Sequence, residues 1–181
     1  DFYYFCYDNE AFSNTGFQMS SATPFGSKTS TSFPGKSNPG GTIQRKKDLF
    51  EIWRSHKPPY IATISPSHPI DLSNKFEKAS GIKGPKLFIT FSPCPPGWSF
   101  DSSKSVEIAK LAVQTGLWPL KEAVDGIVEH TVVPKFKPVE EYLKIQNRYD
   151  HLFDPVKQID VVNIIQKDID DYWKRYSDNG Q

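Results

Sequence analysis

The chain opens on an apolar run rich in aromatics, Phe2-Tyr3-Tyr4-Phe5-Cys6-Tyr7, which stops at the side-chain oxygens of Asp8, Asn9 and Glu10 and reaches a glycine at Gly16. Such a run predicts a buried strand delivering a polar loop, residues 8–18, to the end of a sheet. The rhythm then changes. Leu49, Phe50 and Trp53 give a short amphipathic helix over residues 47–56, stopped by Pro58-Pro59. Tyr60-Ile61-Ala62-Thr63-Ile64 reads as a second strand. Leu72, Phe76 and Ala79, spaced by four and three, predict a helix over residues 71–80 ended near Gly81. Lys86-Leu87-Phe88-Ile89-Thr90-Phe91 is a third strand, followed at once by Pro93-Cys94-Pro95-Pro96-Gly97-Trp98. Val106, Ala109 and Val113 mark a further helix closed by Gly116.

Strands separated by helices of this length imply right-handed crossovers and an α/β fold with a mostly parallel sheet and flanking helices. The loops that begin at Asp8, Ser65 and Cys94 all follow strand C-termini, so they are expected to converge on one crevice, where open α/β sheets bind ligands. Past Gly116 the pattern differs. Residues 118–133, with Asp125-Gly126 as the turn signal, read as a hairpin. Pro138 opens a helical stretch through about His151. Ile159, Val162, Ile165, Ile169 and Trp173 trace one face of a final helix whose other face is charged, a packing stripe for a protein or domain partner rather than for a cofactor.

Composition narrows the function classes. At 181 residues the chain suits one domain better than two. A formal charge of +1 argues against bulk attraction to nucleic acid or to an anionic membrane. Phe25 and Phe33 are the only aromatics interleaved with the lysines of the basic loop described next, a thin platform for stacking bases. Two cysteines far apart form neither a disulfide framework nor a metal set, and a reducing cytoplasm fits. No apolar stretch approaches the roughly 20 residues needed to span a bilayer, and the basic-then-apolar layout of a signal peptide is absent. The lack of an initiator Met, with a core-like strand at the first residues, leads us to expect a fragment.

Three features could carry chemistry. Residues 11–47 contain no Asp or Glu but hold Lys28, Lys36, Arg45, Lys46 and Lys47 among many Ser, Thr, Gly and Pro. A loop of this length is either a flexible excursion or a surface that faces an anion or wraps a partner subunit. Asp8, Asn9 and Glu10 offer hard oxygen donors of the kind magnesium prefers, although such residues at strand ends are also ordinary turn formers. Cys94, held between prolines, suits a rigid soft-metal ligand of the iron-sulfur type, whereas Cys6 reads as a small buried hydrophobe. A nucleophilic Cys94 would need a base, and His56, His68, His130 and His151 show no spacing that nominates one.

A series of motifs then points to a known family. Asp8-Asn9-Glu10-Ala11-Phe12-Ser13-Asn14-Thr15-Gly16 with Gln18, Ala22-Thr23-Pro24 with Gly26, Lys46-Lys47-Asp48-Leu49, Tyr60-Ile61-Ala62-Thr63, Gly116-Leu117-Trp118-Pro119-Leu120, and Val139-Glu140-Glu141-Tyr142-Leu143 with Gln146-Asn147-Arg148 occur in this order. Together they resemble the C-terminal part of the thiamine-diphosphate-binding subunit of pyruvate:ferredoxin oxidoreductase, and the charged helical tail is also similar. The Pro-Cys-Pro-Pro-Gly-Trp form resembles the separate β subunit of multi-subunit enzymes.

The resemblance implies oxidative decarboxylation of pyruvate with coenzyme A to acetyl-CoA and CO2, or the reverse, with electrons passing through 4Fe-4S clusters to ferredoxin. Its alternatives are the same chemistry on another 2-oxoacid, or a noncatalytic docking module. Residues 1–133 would be the C-terminal part of the thiamine-diphosphate-binding domain, and residues 134–181 a helical extension packing on it or on a partner subunit. By resemblance, Mg2+ is held by the Asn9 side chain and the Ala11 backbone carbonyl. Asn14 would lie near the thiazolium and the substrate as the catalytic residue, with Thr15 and Gly16 also touching thiamine diphosphate. Cys94 matches the last of four cysteines that hold a 4Fe-4S cluster. The family's Gly-Asp-Gly motif and other three cysteines precede the matched region, and the glutamate that activates the aminopyrimidine belongs to another subunit or domain. The expectation is therefore a cytoplasmic hetero-oligomer whose partners are the other subunits, ferredoxin, pyruvate and coenzyme A, with no nucleic acid and no membrane. The piece alone is expected to be inactive.

Overall fold

The computed structural model describes residues 1–178 and shows an α/β fold. Its elements are β1 (Phe2–Asp8), α1 (Leu49–Arg54), β2 (Tyr60–Ile64), α2 (Pro69–Ser80), β3 (Pro85–Phe91), α3 (Pro95–Trp98), α4 (Ser105–Gln114), β4 (Lys121–Val124), β5 (Ile127–His130), α5 (Val139–Leu143) and α6 (Ile159–Asp178), with short 3-10 turns at Ser102–Lys104 and Asn147–Leu152. Five strands form one sheet in the order β1-β3-β2-β4-β5. The first three run parallel, with Asp8 opposite Phe91 and Ile64 opposite Thr90, so their C-terminal ends share one edge. The hairpin adds β4 antiparallel to β2, with Ala62 opposite Glu122, and β5 antiparallel to β4. Asp125 and Gly126, both at positive φ (48° and 85°), make the two-residue turn whose twist matches the flanking strands.

Helices cover both faces. β2 is buried along its whole length, as a central parallel strand must be. On one face Ile61, Ile89 and Phe91 meet Phe50 of α1, Ile108 and Ala112 of α4, Leu143 of α5 and Ile165 of α6 in the larger core. On the other, Tyr60, Ala62, Ile64 and Phe88 meet Ala79 of α2, with Phe5, Leu72 and Phe76 against them. The caps follow from the sequence. Asp48 accepts from the Glu51 amide at 3.1 Å to start α1, and Pro69 opens α2 two residues before the predicted start.

Several expectations need correcting. Among the described residues β1 is a strand but not a buried one: there it pairs only with β3, and Phe2, Tyr4 and Tyr7 are 56%, 51% and 71% exposed. Aromatic content marks β-propensity, which does not tell an edge strand from a central one. Residues 11–47 form irregular structure packed onto the domain, neither extended nor loose. Thr23, Ser27, Thr29 and Thr42 are buried, and their hydroxyls bond one another or the loop's own backbone, as Ser32 does with Thr29 (2.7 Å) and Thr42 (2.8 Å). Lys28 pairs with Asp150 at 2.6 Å and Arg45 with Asp168 at 3.1 Å, so those cations are matched by acids of the same chain. The Cys94 loop turns directly into α3 because Pro95 and Pro96 have φ preset for a first helical turn.

The apolar stripe of α6 folds back onto this same core. Val162, Ile165, Ile169 and Trp173 are buried, while Ile159 at the helix start is exposed. Trp173 donates its indole N–H to the Gly116 carbonyl at 2.9 Å, beside a residue at φ +80° where any Cβ would lie 2.6 Å from that indole nitrogen. Gly116 therefore ends α4 and admits α6 at close range.

Candidate functional site

The loop after β1 is shaped by its own side chains. Asp8 Oδ1 accepts from the Glu10 amide at 3.2 Å, and Asn9 Oδ1 accepts from the Ala11 amide at 3.3 Å. These two consecutive Asx turns put Glu10 in the left-handed region at φ 64° and send its carboxylate inward. Beyond Ala11 the chain closes a small hairpin, with Phe12 bridged to Gln18. Thr15 and Gln18 lock its tip through Thr15 Oγ1 to Gln18 Oε1 (2.6 Å) and Gln18 Nε2 to the Thr15 carbonyl (2.7 Å). Asn14, Thr15 and Gly16 stand exposed at that tip, while Asn9 is half-buried and Ala11 buried at the base.

Beneath the loop lies a buried ionic cluster. Lys46 Nζ is 2.6 Å from Asp8 and 2.8 Å from Glu10. The other Glu10 oxygen is 2.7 Å from Arg148, and both side chains are 1% exposed. Arg148 also donates to Gln146 Oε1 and to the Tyr142 hydroxyl, each at 2.9 Å, and its guanidinium lies 3.6 Å from the centre of the Trp98 ring. Burial pushes the Asp8 carboxyl above its ordinary pKa, more than Lys46 pulls it down. Burial acts the same way on Glu10, but Lys46 and Arg148 together outweigh it and hold that carboxyl below the usual range. Burial would lower Lys46, yet the two carboxylates raise it.

A count of carbonyls shows what the loop leaves open. The Asp8 carbonyl accepts from the Ser92 amide (3.1 Å), the Asn9 carbonyl from the Trp98 indole (3.0 Å) and the Glu10 carbonyl from the Thr23 hydroxyl (2.8 Å). Among the described residues no hydrogen bond reaches the Ala11 carbonyl. Asn9 Oδ1 makes one long bond of its two. The acids of residues 8–11 are consumed by cations, and the oxygens there with capacity to spare are an amide and a peptide carbonyl. Both are hard, neutral donors of the kind that complete a magnesium sphere alongside phosphate oxygens and water. Among the described residues no group of three or more His, Cys, Asp or Glu side chains is arranged to hold a metal ion.

Two contacts tie this loop to the Cys94 turn. Cys94 precedes α3 and accepts the Trp98 amide at 2.8 Å, and the same Trp98 donates its indole N–H to Asn9. Phe17 lies against Gly97 so closely that a Cβ there would sit 2.5 Å from the ring and 3.2 Å from Cys94 Sγ. Cys94 is half-buried and so is Cys6, both as free thiols. The third loop behaves differently. Ser65, Ser67 and His68 hydrogen-bond in series at 2.9 Å, and Ser67 and His68 line a separate cavity beside α2. The Asp8 and Cys94 loops thus meet, while Ser67 and His68 of the third loop face the cavity beside α2. His130, half-buried against Tyr172 at 2.8 Å, has its pKa pushed down to about 4 by burial, so it is the satisfied residue the sequence suggested.

Lys46, Trp98 and Arg148 were not singled out by their chemistry. Their signal was faint: a lysine inside a basic tract, a tryptophan after prolines, and an arginine in a helical stretch flanked by apolar residues.

An open α/β sheet whose parallel strands end in a braced loop is an architecture that can take a ligand at its strand C-termini. No family model matches the chain. It is 49% identical over 156 residues to pyruvate synthase subunit PorB of Methanosarcina barkeri, covering 84% of this chain and 52% of that one. The PorB subunit of Methanocaldococcus jannaschii is 45% identical over 175 residues, 96% of this chain and 57% of that one. The ketoisovalerate oxidoreductase subunit VorB of Pyrococcus abyssi is 39% identical over 178 residues, 97% of this chain and 55% of that one. The chain belongs to the family of pyruvate synthase PorB subunits, and it spans about half the length of the curated relatives it matches.

Proposed function

We propose that the chain forms part of the β subunit of a 2-oxoacid:ferredoxin oxidoreductase, which converts pyruvate and coenzyme A to acetyl-CoA and CO2, or runs the reverse, and exchanges electrons with ferredoxin. The observation that carries this reading is the pairing of PorB-level identity with a loop base in which, among the described residues, the Ala11 carbonyl accepts no hydrogen bond and Asn9 Oδ1 accepts one long one. Those two would ligate Mg2+, with thiamine diphosphate supplying phosphate oxygens. When bound, thiamine diphosphate supplies the carbanion chemistry of decarboxylation. The chain's residues orient and support. The exposed tip of Asn14, Thr15 and Gly16 would contact the cofactor, with the Asn14 amide positioned as the catalytic donor. Asp8, Glu10, Lys46 and Arg148 hold the loop from behind, so that its donors are set before any ligand arrives. Cys94 would give one thiolate to a 4Fe-4S cluster whose other ligands lie outside this chain, and for that reason the chain alone is expected to be inactive.

No helix among the described residues is long and apolar enough to cross a membrane, and the two free thiols fit a reducing cytoplasm. The similarity to a ketoisovalerate oxidoreductase subunit favours, as second reading, a branched 2-oxoacid substrate. The test is Mg2+-dependent thiamine diphosphate binding by the assembled enzyme, measured calorimetrically. Asn9→Ala should weaken it at least about tenfold, the loss of a charge-assisted contact. Unchanged affinity and turnover would remove Asn9 from the site.

A further inference from the structure

A cavity of about 320 Å³ lies behind the loop, between residues 45–50, the turn at Trp118 and the inner face of α6. Asp8 and Glu10 border it, whereas Asn9, Ala11 and Asn14 do not, so it is separate from the magnesium donors. Its size falls in the range of small-molecule sites, and its walls are mostly apolar, with Phe25, Phe50, Leu117, Ile165 and Tyr172 among them.

The charged groups that border it can be accounted for one by one. Lys46 is held by Asp8 and Glu10, and Arg45 by Asp168, with its guanidinium 4.2 Å from the centre of the Phe25 ring. Lys47 and Asp48 are exposed at the rim. Lys121 is different. Its side chain is only 4% exposed, yet its nearest carboxylates, Asp48 and Glu51, are 3.8 and 3.9 Å away, beyond hydrogen-bond reach. The ammonium otherwise faces the rings of Phe50 at 4.3 Å and Tyr172 at 5.3 Å. The contrast with Lys75 is instructive: equally buried, it donates to the Thr63 carbonyl at 2.9 Å and to Asp71 at 2.7 Å. A buried ammonium carries three donors and is costly to leave without an acceptor. Burial accordingly lowers the Lys121 pKa, more than Asp48 and Glu51 raise it.

We propose that this cavity binds a small monocarboxylate with a flat apolar body, its carboxylate accepting hydrogen bonds from Lys121 and its body resting on Phe50 and Tyr172. A monoanion fits better than a phosphate, because Asp48 and Glu51 already place two negative charges within 4 Å of the Lys121 ammonium and would repel a second ligand charge. The proposal does not depend on the cofactor reading above.

The experiment compares 2-naphthoate with the neutral 2-naphthamide by calorimetry on the intact protein. The acid should bind at least about tenfold more tightly than the amide, the usual gain of a charge-assisted hydrogen bond. Lys121→Met should reduce that preference to less than about twofold, and Lys121→Arg should keep most of it. The proposal is overturned by equal affinity for acid and amide in the wild type, by a preference that survives Lys121→Met, or by no saturable binding of either probe up to millimolar concentration. The wild-type ratio decides the matter even where a Lys121 variant fails to fold.

Discussion

Arg148 is the residue on which the loop's rear support converges, and its removal has a calculable cost. Arg148→Met keeps length and apolar bulk but deletes the pair with Glu10, the bonds to Gln146 and Tyr142 and the stack on Trp98. Breaking a buried ion pair from one side costs about 3–5 kcal/mol. Glu10 retains Lys46 as a partner, which places the expected loss toward the lower end, still a large fraction of a stability of about 5–15 kcal/mol. Glu10→Gln keeps the shape and loses one charge, so about 2 kcal/mol is expected from a charged hydrogen bond. The double variant should cost less than the two singles combined, with a coupling of about 1–3 kcal/mol. Urea unfolding of the four proteins gives the cycle. The pH profile adds a second check. Because Glu10 is held below its ordinary pKa, its contribution is complete above the unfolded value of about 4.3 and fades as pH falls through the folded value. The gap between wild type and Glu10→Gln should therefore be full at pH 7 and close below about pH 4. Asp8 runs the other way: its raised pKa means that ionisation costs stability as pH rises, and because the Glu10 charge is among the causes that raise it, Glu10→Gln eases that cost as well. Additivity within about 0.5 kcal/mol, or a gap that widens in acid, would refute the assignment.

Two further substitutions probe the junction between the loops. Gly97→Ala puts a methyl 2.5 Å from the Phe17 ring and should destabilise by about 1–3 kcal/mol, with Phe17→Leu in the same chain recovering part of the loss in thermal unfolding. Trp98→Phe keeps an aromatic ring over Arg148 but leaves the Asn9 carbonyl without its donor, an expected cost of about 1–2 kcal/mol. On the proposed function the same variant weakens Mg2+-dependent cofactor binding in the assembled enzyme, whereas a purely structural role would leave that affinity unmoved.

Much of the fold was legible because its signals are local. Period-four spacing located α2, proline and glycine located its neighbours' ends, and Asp125-Gly126 located the hairpin. The position of β1 was not legible, since an edge strand and a central one can carry the same aromatics. The compactness of residues 11–47 was hidden for a related reason. Its order comes from hydroxyls and backbone amides paired across intervals such as Ser32 with Thr42 and Thr23 with Glu10, which no window along the chain contains. The donor pair Asn9 and Ala11 came from resemblance, and the sequence could not show that the Asn9 carbonyl is taken by Trp98 while no hydrogen bond among the described residues reaches that of Ala11.

The loop's acids illustrate why composition alone misleads at such a site. Asp8 and Glu10 are the most obvious metal ligands in the stretch, and each is already bound to a buried cation contributed from far along the chain, Lys46 or Arg148. Freeing Glu10 for a metal would take from Arg148 the one carboxylate it pairs with among the described residues, and freeing Asp8 would leave Lys46 with Glu10 alone, at a cost comparable with the gain. A neutral amide and a peptide carbonyl carry no such debt. On the proposed function the cluster would fix the donors' geometry, and its charge would not have to be exchanged when an ion arrives. That division of labour also explains the weak ionic signature at the site. The charges lie one layer behind the oxygens that would bind, and Asp8, Glu10 and Lys46 of that layer also border the cavity in which Lys121 sits beyond hydrogen-bond reach of Asp48 and Glu51.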